Sequence, residues 1–244
     1  ESLLLFADKF QKTGYEKVLL TKLGEGITAK ENLLEMKATL LMREDKLAEA
    51  EAILSKLTTK PVEVEGVANE SRIKDCIACY EESKLRFTKL QLIQQIAQLK
   101  QQANQADKNK AALANYQLGN IYYNTTYFGF AWKALDYFRP YSYTAKDAEY
   151  FDGSRALAFY KQAITLAKQA GNKELAAQSY FMAAKCEQNT YYLKMRNDSW
   201  DYLEPSYAPE NRRYFTQLKQ EFSGTAFYKQ ALGECFYLNS FAKR

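Results

Sequence analysis

The chain has 244 residues, 47% of them hydrophobic, and 34 Lys and Arg against 29 Asp and Glu give a formal charge of +5. That apolar share excludes wholesale disorder. The mild, dispersed positive charge, without a run of five Lys or Arg, argues against a nucleic-acid partner. No apolar run of about 18 residues occurs, so no membrane span is expected in this chain.

Histidine is absent, which removes His-dependent triads, general bases and His-containing metal sites. Ten glycines and four prolines are too few for the tight turns of a β-sandwich or barrel of this length. Abundant Ala, Leu, Lys, Glu and Gln favour helices instead. The start at Glu1, without Met or a signal peptide, reads as a processed chain or a piece of something larger.

In chain order, Leu3, Phe6 and Phe10 share one helical face, and Tyr15–Leu23 reads as a short helix closed by Gly24 and Gly26. The pattern from Lys30 to Leu57 predicts two helices with a turn near Asp45, Thr28 as N-cap and Pro61 beyond the end. Pro61–Val67 reads as an extended connector, and Asn69–Lys84 as a helix. Ser83–Ala106 reads as a long amphipathic helix, with Leu92, Ile96, Leu99 and Ala103 on one face and a polar tail, Gln101–Lys110, as the best internal break. Further helices are expected at Lys110–Asn124, Gly129–Phe138, Ser154–Ala170, Lys173–Gln188, Glu210–Phe222 and Thr225–Phe241. The long connection Thr190–Pro209 holds Trp200 and Pro205.

A repeat emerges from these elements. A tetratricopeptide unit spans about 34 residues, two antiparallel helices with small residues where they touch. In Glu31–Pro61, Leu34, Ala38 and Leu41 line a first helix, and Leu47, Ala50, Leu54 and Leu57 a second. Another first helix lies at Leu118, Gly119 and Tyr122. Its partner has two parses: Gly129, Ala134 and Phe138, or Ala156, Tyr160 and Ala163 with Thr125–Gly153 as an insertion. The second spacing is cleaner. Ala176–Cys186 then begins the next unit.

The stretches YQLGNIYYNTTYFGFAWKALDYFR, AAQSYFMAAKCEQN and FYKQALGECFYL together resemble tetratricopeptide (TPR-like) proteins of Bacteroidetes cell envelopes, over Ala112–Arg244. The resemblance implies a fold and a periplasmic or outer-membrane-associated location; it implies no reaction, and the residues themselves leave a cytoplasmic location open. TPR-like helices also occur in outer-membrane glycan-capture proteins of that group. The expected fold is therefore all-α, an α-solenoid of antiparallel hairpins. Residues 1–110 would hold N-terminal repeats ending in a long helix, and 111–244 Tyr-rich repeats continuous with them.

For chemistry the sequence offers little. Cys76-Ile-Ala-Cys79 fits a redox pair or half a zinc site, but it has no βαβ context and no second C-x-x-C, so a helix face using cysteine as a small apolar residue is the leading reading. Cys186 and Cys235 read as packing residues. Asp152-Gly153-Ser154 fits a turn and N-cap. Asn124-Thr125-Thr126 and Asn197-Asp198-Ser199 match the glycosylation triplet, which alone says little. Glu49, Glu51 and Glu149 read as solvated surface charges. No catalytic residue, metal site or cofactor is expected.

The aromatics are the functional question. Seventeen of nineteen tyrosines lie between Tyr116 and Tyr237. Tyr122, Trp132 and Phe138 read as core. Adjacent pairs at helix ends and in loops do not fit one narrow apolar stripe, and Tyr and Trp suit interfaces. The candidate partner-binding residues are Tyr123, Tyr127, Phe128, Tyr141, Tyr143, Tyr191, Tyr192, Trp200 and Tyr202. The expectation is a non-catalytic scaffold for a protein partner, with a glycan- or peptidoglycan-binding module as the alternative.

Overall fold

The computed structural model describes residues 4–5, 13–16, 18, 30–74, 83–139, 149–195 and 212–244. Among the described residues the fold is helical apart from one two-stranded ribbon. The first pair, α1 (Lys30–Arg43) and α2 (Leu47–Leu54), turns at Asp45, whose φ of 58° is left-handed. Asp tolerates that backbone better than most residues. Its carboxylate accepts from the Tyr122 hydroxyl (2.6 Å) and from Lys100 Nζ (3.1 Å), which ties the turn to later helices.

The extended connector supplies β1 (Glu63–Glu65), which pairs antiparallel with β2 (Arg86–Thr88), Val64 opposite Phe87. Next come α3 (Lys89–Ala103) and α4 (Lys108–Asn124), then a short 3-10 turn at Trp132–Ala134. The C-terminal part holds α5 (Glu149–Asp152), α6 (Ser154–Gln169), α7 (Lys173–Met195), α8 (Arg213–Phe222), α9 (Ala226–Glu234) and α10 (Phe236–Ala242).

Packing follows chain order. α1 lies on α2, α2 on α3, α3 on α4, α4 on α6, α6 on α7 and α7 on α8, with α4 also touching α7 and α7 touching α9. The α4–α6 contact is the most extensive. There Gly119 faces Tyr160, and a Cβ at Gly119 would sit 2.5 Å from the ring. Of the two parses for the partner of α4, this is the one with Ala156, Tyr160 and Ala163, all fully buried. α4 and α7 are buried on almost every side, as central helices are. One apolar cluster runs from Ala38 to Leu238 and spans the expected break near Lys110, where Asp107 caps α4 through Asn109 N and Lys110 N.

Several expected elements differ. Residues 69–74 and 83–84 are not helical. The carbonyls of Ala68, Asn69, Glu70 and Arg72 accept instead from Asn124, Asn120, Asn124 and Lys185, and Ser71 Oγ takes the Tyr116 hydroxyl. Side chains of α4 and α7 thus take the acceptors a helix would need. The long helix starts at Lys89, because Thr88 and Gln91 form a capping box directly after β2. The helix expected at Gly129–Phe138 is only the 3-10 turn. Gly129 packs so close to the Asn124 backbone that a Cβ would meet it at 2.1 Å, Ala131 N donates to Asn124 O, and Arg43 takes Leu135 O (2.6 Å). The last expected helix breaks at Cys235, which is extended (φ −99°, ψ 110°). The helices expected before Lys30, and Cys76 and Cys79, lie largely or wholly outside the described residues.

Candidate functional site

Of the candidate aromatics, Tyr141, Tyr143, Trp200 and Tyr202 lie outside the described residues. Tyr123 is buried, its hydroxyl accepting from Asn189 Nδ2 (3.0 Å) with Lys185 Nζ 5.0 Å from the ring centre, so it packs α4 against α7 instead of facing a partner. Tyr127 is also buried. With Phe151 and Leu193 it forms a satellite cluster, and the half-buried Phe128 sits edge-on to it at 5.3 Å. Tyr191 and Tyr192, at the end of α7, are half-buried and stand edge to face at 5.6 Å.

Tyr191 and Tyr192 belong to a larger aromatic face. Tyr192 lies 6.5 Å from Tyr237, and Tyr237 lies 6.0 Å from Phe236, which is 73% exposed. The bend at Cys235 sets α10 off at an angle and so brings Phe236 and Tyr237 beside the end of α7. Arg212, the residue before α8, lies at the foot of this ladder. It is only 2% exposed, its guanidinium is 5.9 Å from the Tyr191 ring centre, and Nη1 donates to Gln188 Oε1 (3.2 Å). Its Nη2 is buried with no hydrogen-bond partner. Burial, then the neighbouring Tyr237, pushes the Tyr192 hydroxyl up to about 12. It therefore stays a neutral phenol at physiological pH, with the Arg212 guanidinium pulling weakly the other way.

A second feature lies in the 125–139 stretch and α5. A small pocket, enclosing about 10 Å³, is lined by Tyr127, Trp132, Asp136, Phe138 and Arg139 among others. The half-buried Arg139 stacks between Trp132 (5.5 Å) and Tyr127 (5.8 Å) and donates to Gly129 O (3.2 Å). Phe138, expected in the core, is 71% exposed, and Trp132 is only partly buried. The reason is that the helix needed to turn them inward does not form.

Beside that pocket a polar cluster clamps this stretch to α1. Lys89 Nζ, almost fully buried, pairs with Glu35 (2.5 Å) and donates to Thr39 (2.6 Å), while the Tyr137 hydroxyl donates to Glu35 (2.6 Å). Burial draws the Lys89 ammonium below its ordinary range, against the pull of Glu35. Burial, then the hydrogen bond to Glu35, holds the Tyr137 phenol well above its ordinary value. Each group has a partner within the cluster, so the arrangement reads as a cross-link between elements. No protein-family model, no curated protein and no solved structure matches the chain.

Among the described residues no three His, Cys, Asp or Glu side chains gather as a metal site, and no helix is long and apolar enough to cross a membrane. Cys186 and Cys235 are buried. Of the residues in this aromatic face, sequence reasoning singles out Tyr191 and Tyr192 and passes over Arg212, Gln188, Phe236 and Tyr237. The Phe236-Tyr237 pair carried the same adjacency signal as the pairs it did select. The burial of Arg212 is tertiary and has no sequence signal.

Proposed function

We propose that this protein is a non-catalytic interaction scaffold of the TPR-like kind, an α-solenoid of antiparallel hairpins that holds a protein partner on its aromatic face. The observation that carries this reading is the Tyr191–Tyr192–Tyr237–Phe236 ladder, with large aromatic area left open at one end of the helical stack. Rigid aromatics with a polar tip contribute much of the affinity at protein interfaces. Two further observations support it. Helices pack on their chain neighbours in succession, as a repeat array requires. The α4, α6 and α7 contacts, small residue against tyrosine, fit one hairpin and the first helix of the next. A periplasmic or outer-membrane-associated location follows from the resemblance to Bacteroidetes envelope proteins.

The test is chemical cross-linking and recovery of partners from an envelope fraction, comparing the native chain with the double variant Phe236→Ala, Tyr237→Ala. Loss of one defined partner is expected, at constant helicity by circular dichroism. Identical partners and recoveries from both proteins would count against this face.

A glycan-binding module is the second reading, and the pocket beside Trp132 favours it. The exposed aromatic rim with Asp136 and Arg139 offers a surface for a sugar ring to stack on from outside, since the enclosed space of about 10 Å³ holds no more than a water. A panel of soluble glycans that leaves Trp132 fluorescence unchanged removes this alternative.

A further inference from the structure

We propose that Arg212 receives a carboxylate from an acidic peptide segment of the protein partner, which docks across the Tyr191–Tyr192–Tyr237–Phe236 ladder. The inference rests on the scaffold reading above and names the chemistry the partner must carry.

The starting point is a buried guanidinium with an unsatisfied terminal nitrogen. A guanidinium has five N–H donors in a planar fork and stays protonated. Arg212 is buried; Nη1 donates to the neutral Gln188, Nη2 has no partner, and the only other polar group the guanidinium acts on among the described residues is the neutral Tyr192 hydroxyl. Among the described residues no carboxylate pairs with it. The acidic side chain at this helix end, Glu187, is committed elsewhere: its Oε1 accepts from Arg213 Nε (2.9 Å) and its Oε2 from Tyr214 N (3.3 Å). A buried cation without a counter-charge is costly, and one that gains a carboxylate in forked geometry is strongly held. Arg212 also stands at the N-terminus of the ten-residue α8, whose partial positive charge favours an anion at the same place.

The surroundings select the ligand class. The rings above Arg212 are tilted to one another by 68°, 57° and 73°. Sugar rings stack on broad flat faces, whereas a zigzag of edge-to-face rings leaves clefts that apolar side chains fill. An acidic residue flanked by apolar or aromatic ones therefore fits better than a uronic acid. Tyr191 and Tyr192, both only half-buried, are the ladder residues nearest the guanidinium, which lies 5.9 Å from the Tyr191 ring centre and acts on the Tyr192 hydroxyl. The net charge of +5 favours an acidic partner at long range as well.

The test follows the Arg212 Nε–H resonance by NMR while the intact chain is titrated with acetyl-Phe-Glu-Phe-amide, with its Gln counterpart, and with methyl glucuronide. The Glu peptide is expected to shift that resonance and to bind about tenfold or more tighter than the Gln peptide. The preference should vanish in Arg212→Met. Equal binding of the Glu and Gln peptides, or no shift at Arg212, overturns the proposal, and a glucuronide that binds as well as the Glu peptide transfers the site to acidic glycans and overturns it too. Thermal melting of the unliganded variant is a second reading. Arg212→Met should melt at the native temperature or above, because it removes an uncompensated charge. A fall of more than about 4 °C would mean that the guanidinium serves the fold, and would overturn the proposal. Phe236→Ala separates the two readings. If it weakens both peptides while Glu and Gln bind alike, the surface stands and the carboxylate inference falls.

Discussion

Gly119 shows how one missing atom sets a helix spacing. On helix propensity alone, Gly119→Ala should stabilise α4 by about 1 kcal/mol. The added methyl, however, would lie 2.5 Å from the Tyr160 ring, which is fully buried and whose hydroxyl is held by Asn120 Oδ1 at 2.8 Å. The ring cannot swing away, so overpacking wins, and a net loss of about 1–3 kcal/mol is expected in urea unfolding. Glu31 makes a different point at the same scale. Its carboxylate accepts from Thr58 Oγ1 (2.5 Å) and Thr59 N (2.6 Å), and these bonds draw its pKa from 4.5 to about 2. A lowered folded-state value means that the stabilisation is full above about pH 4.5 and is lost as pH falls toward 2. The melting difference between the native chain and Glu31→Gln should therefore be present at pH 6 and close as pH approaches 2. An NMR titration of the Glu31 carboxyl should place its midpoint near 2, and a midpoint near 4.5 would refute the assignment.

At the scale of elements, competition for backbone partners decides what the chain becomes. Thr88 ends β2 and starts α3, its hydroxyl accepting from Gln91 N (3.2 Å) while Gln91 Oε1 takes Thr88 N (2.8 Å). Thr88→Ala should cost about 1 kcal/mol and fray the first turn of α3 in hydrogen exchange. Asn124 is the stronger case. Its amide donates to both Ala68 O and Glu70 O, so Asn124→Leu strands two acceptors and should cost about 1–3 kcal/mol. Exchange should rise in 68–74 before it rises in α4. These bonds also explain what could be read from sequence. The helix pair around Asp45 and helices α4 and α6 were legible to within a few residues from their apolar spacing and flanking turns, whereas α7, expected to end at Gln188, runs on to Met195 and takes Tyr191 and Tyr192 out of the expected connection. The stretch 69–74 has helical composition, yet it loses its carbonyls to asparagines 50 or more positions away. Gly129–Phe138 likewise loses its helix to Arg43 and to the Asn124 backbone. Of the aromatic face, Tyr191 and Tyr192 were legible as an adjacent pair. Arg212 was not, since nothing in Asn211-Arg212-Arg213 marks which arginine is buried.

For the whole molecule, the question is whether one apolar cluster from Ala38 to Leu238 behaves as a single cooperative unit or as a row of neighbours. The contact pattern favours the row, because among the described residues the extensive contacts between α1 to α4 and the C-terminal helices are those of α4 with α6 and α7. Ending the chain at Arg212 removes α8, α9 and α10 and uncovers Tyr180 and Phe181 on α7, which pack on Phe222 and on Phe215 and Phe227 respectively. Fully exposing one such side chain costs up to about 1.5–3 kcal/mol of burial. A globally cooperative core would spread that loss evenly and lower protection everywhere. A quasi-one-dimensional stack confines it: amides of α7 should lose protection, those of α6 should lose less, and those of α1 to α3 should stay within a few-fold of the intact chain. Native-state hydrogen exchange on the truncated chain distinguishes the two. Uniform loss across α1 to α7 would remove the nearest-neighbour account and, with it, the reason to read this helical array as an extended binding surface.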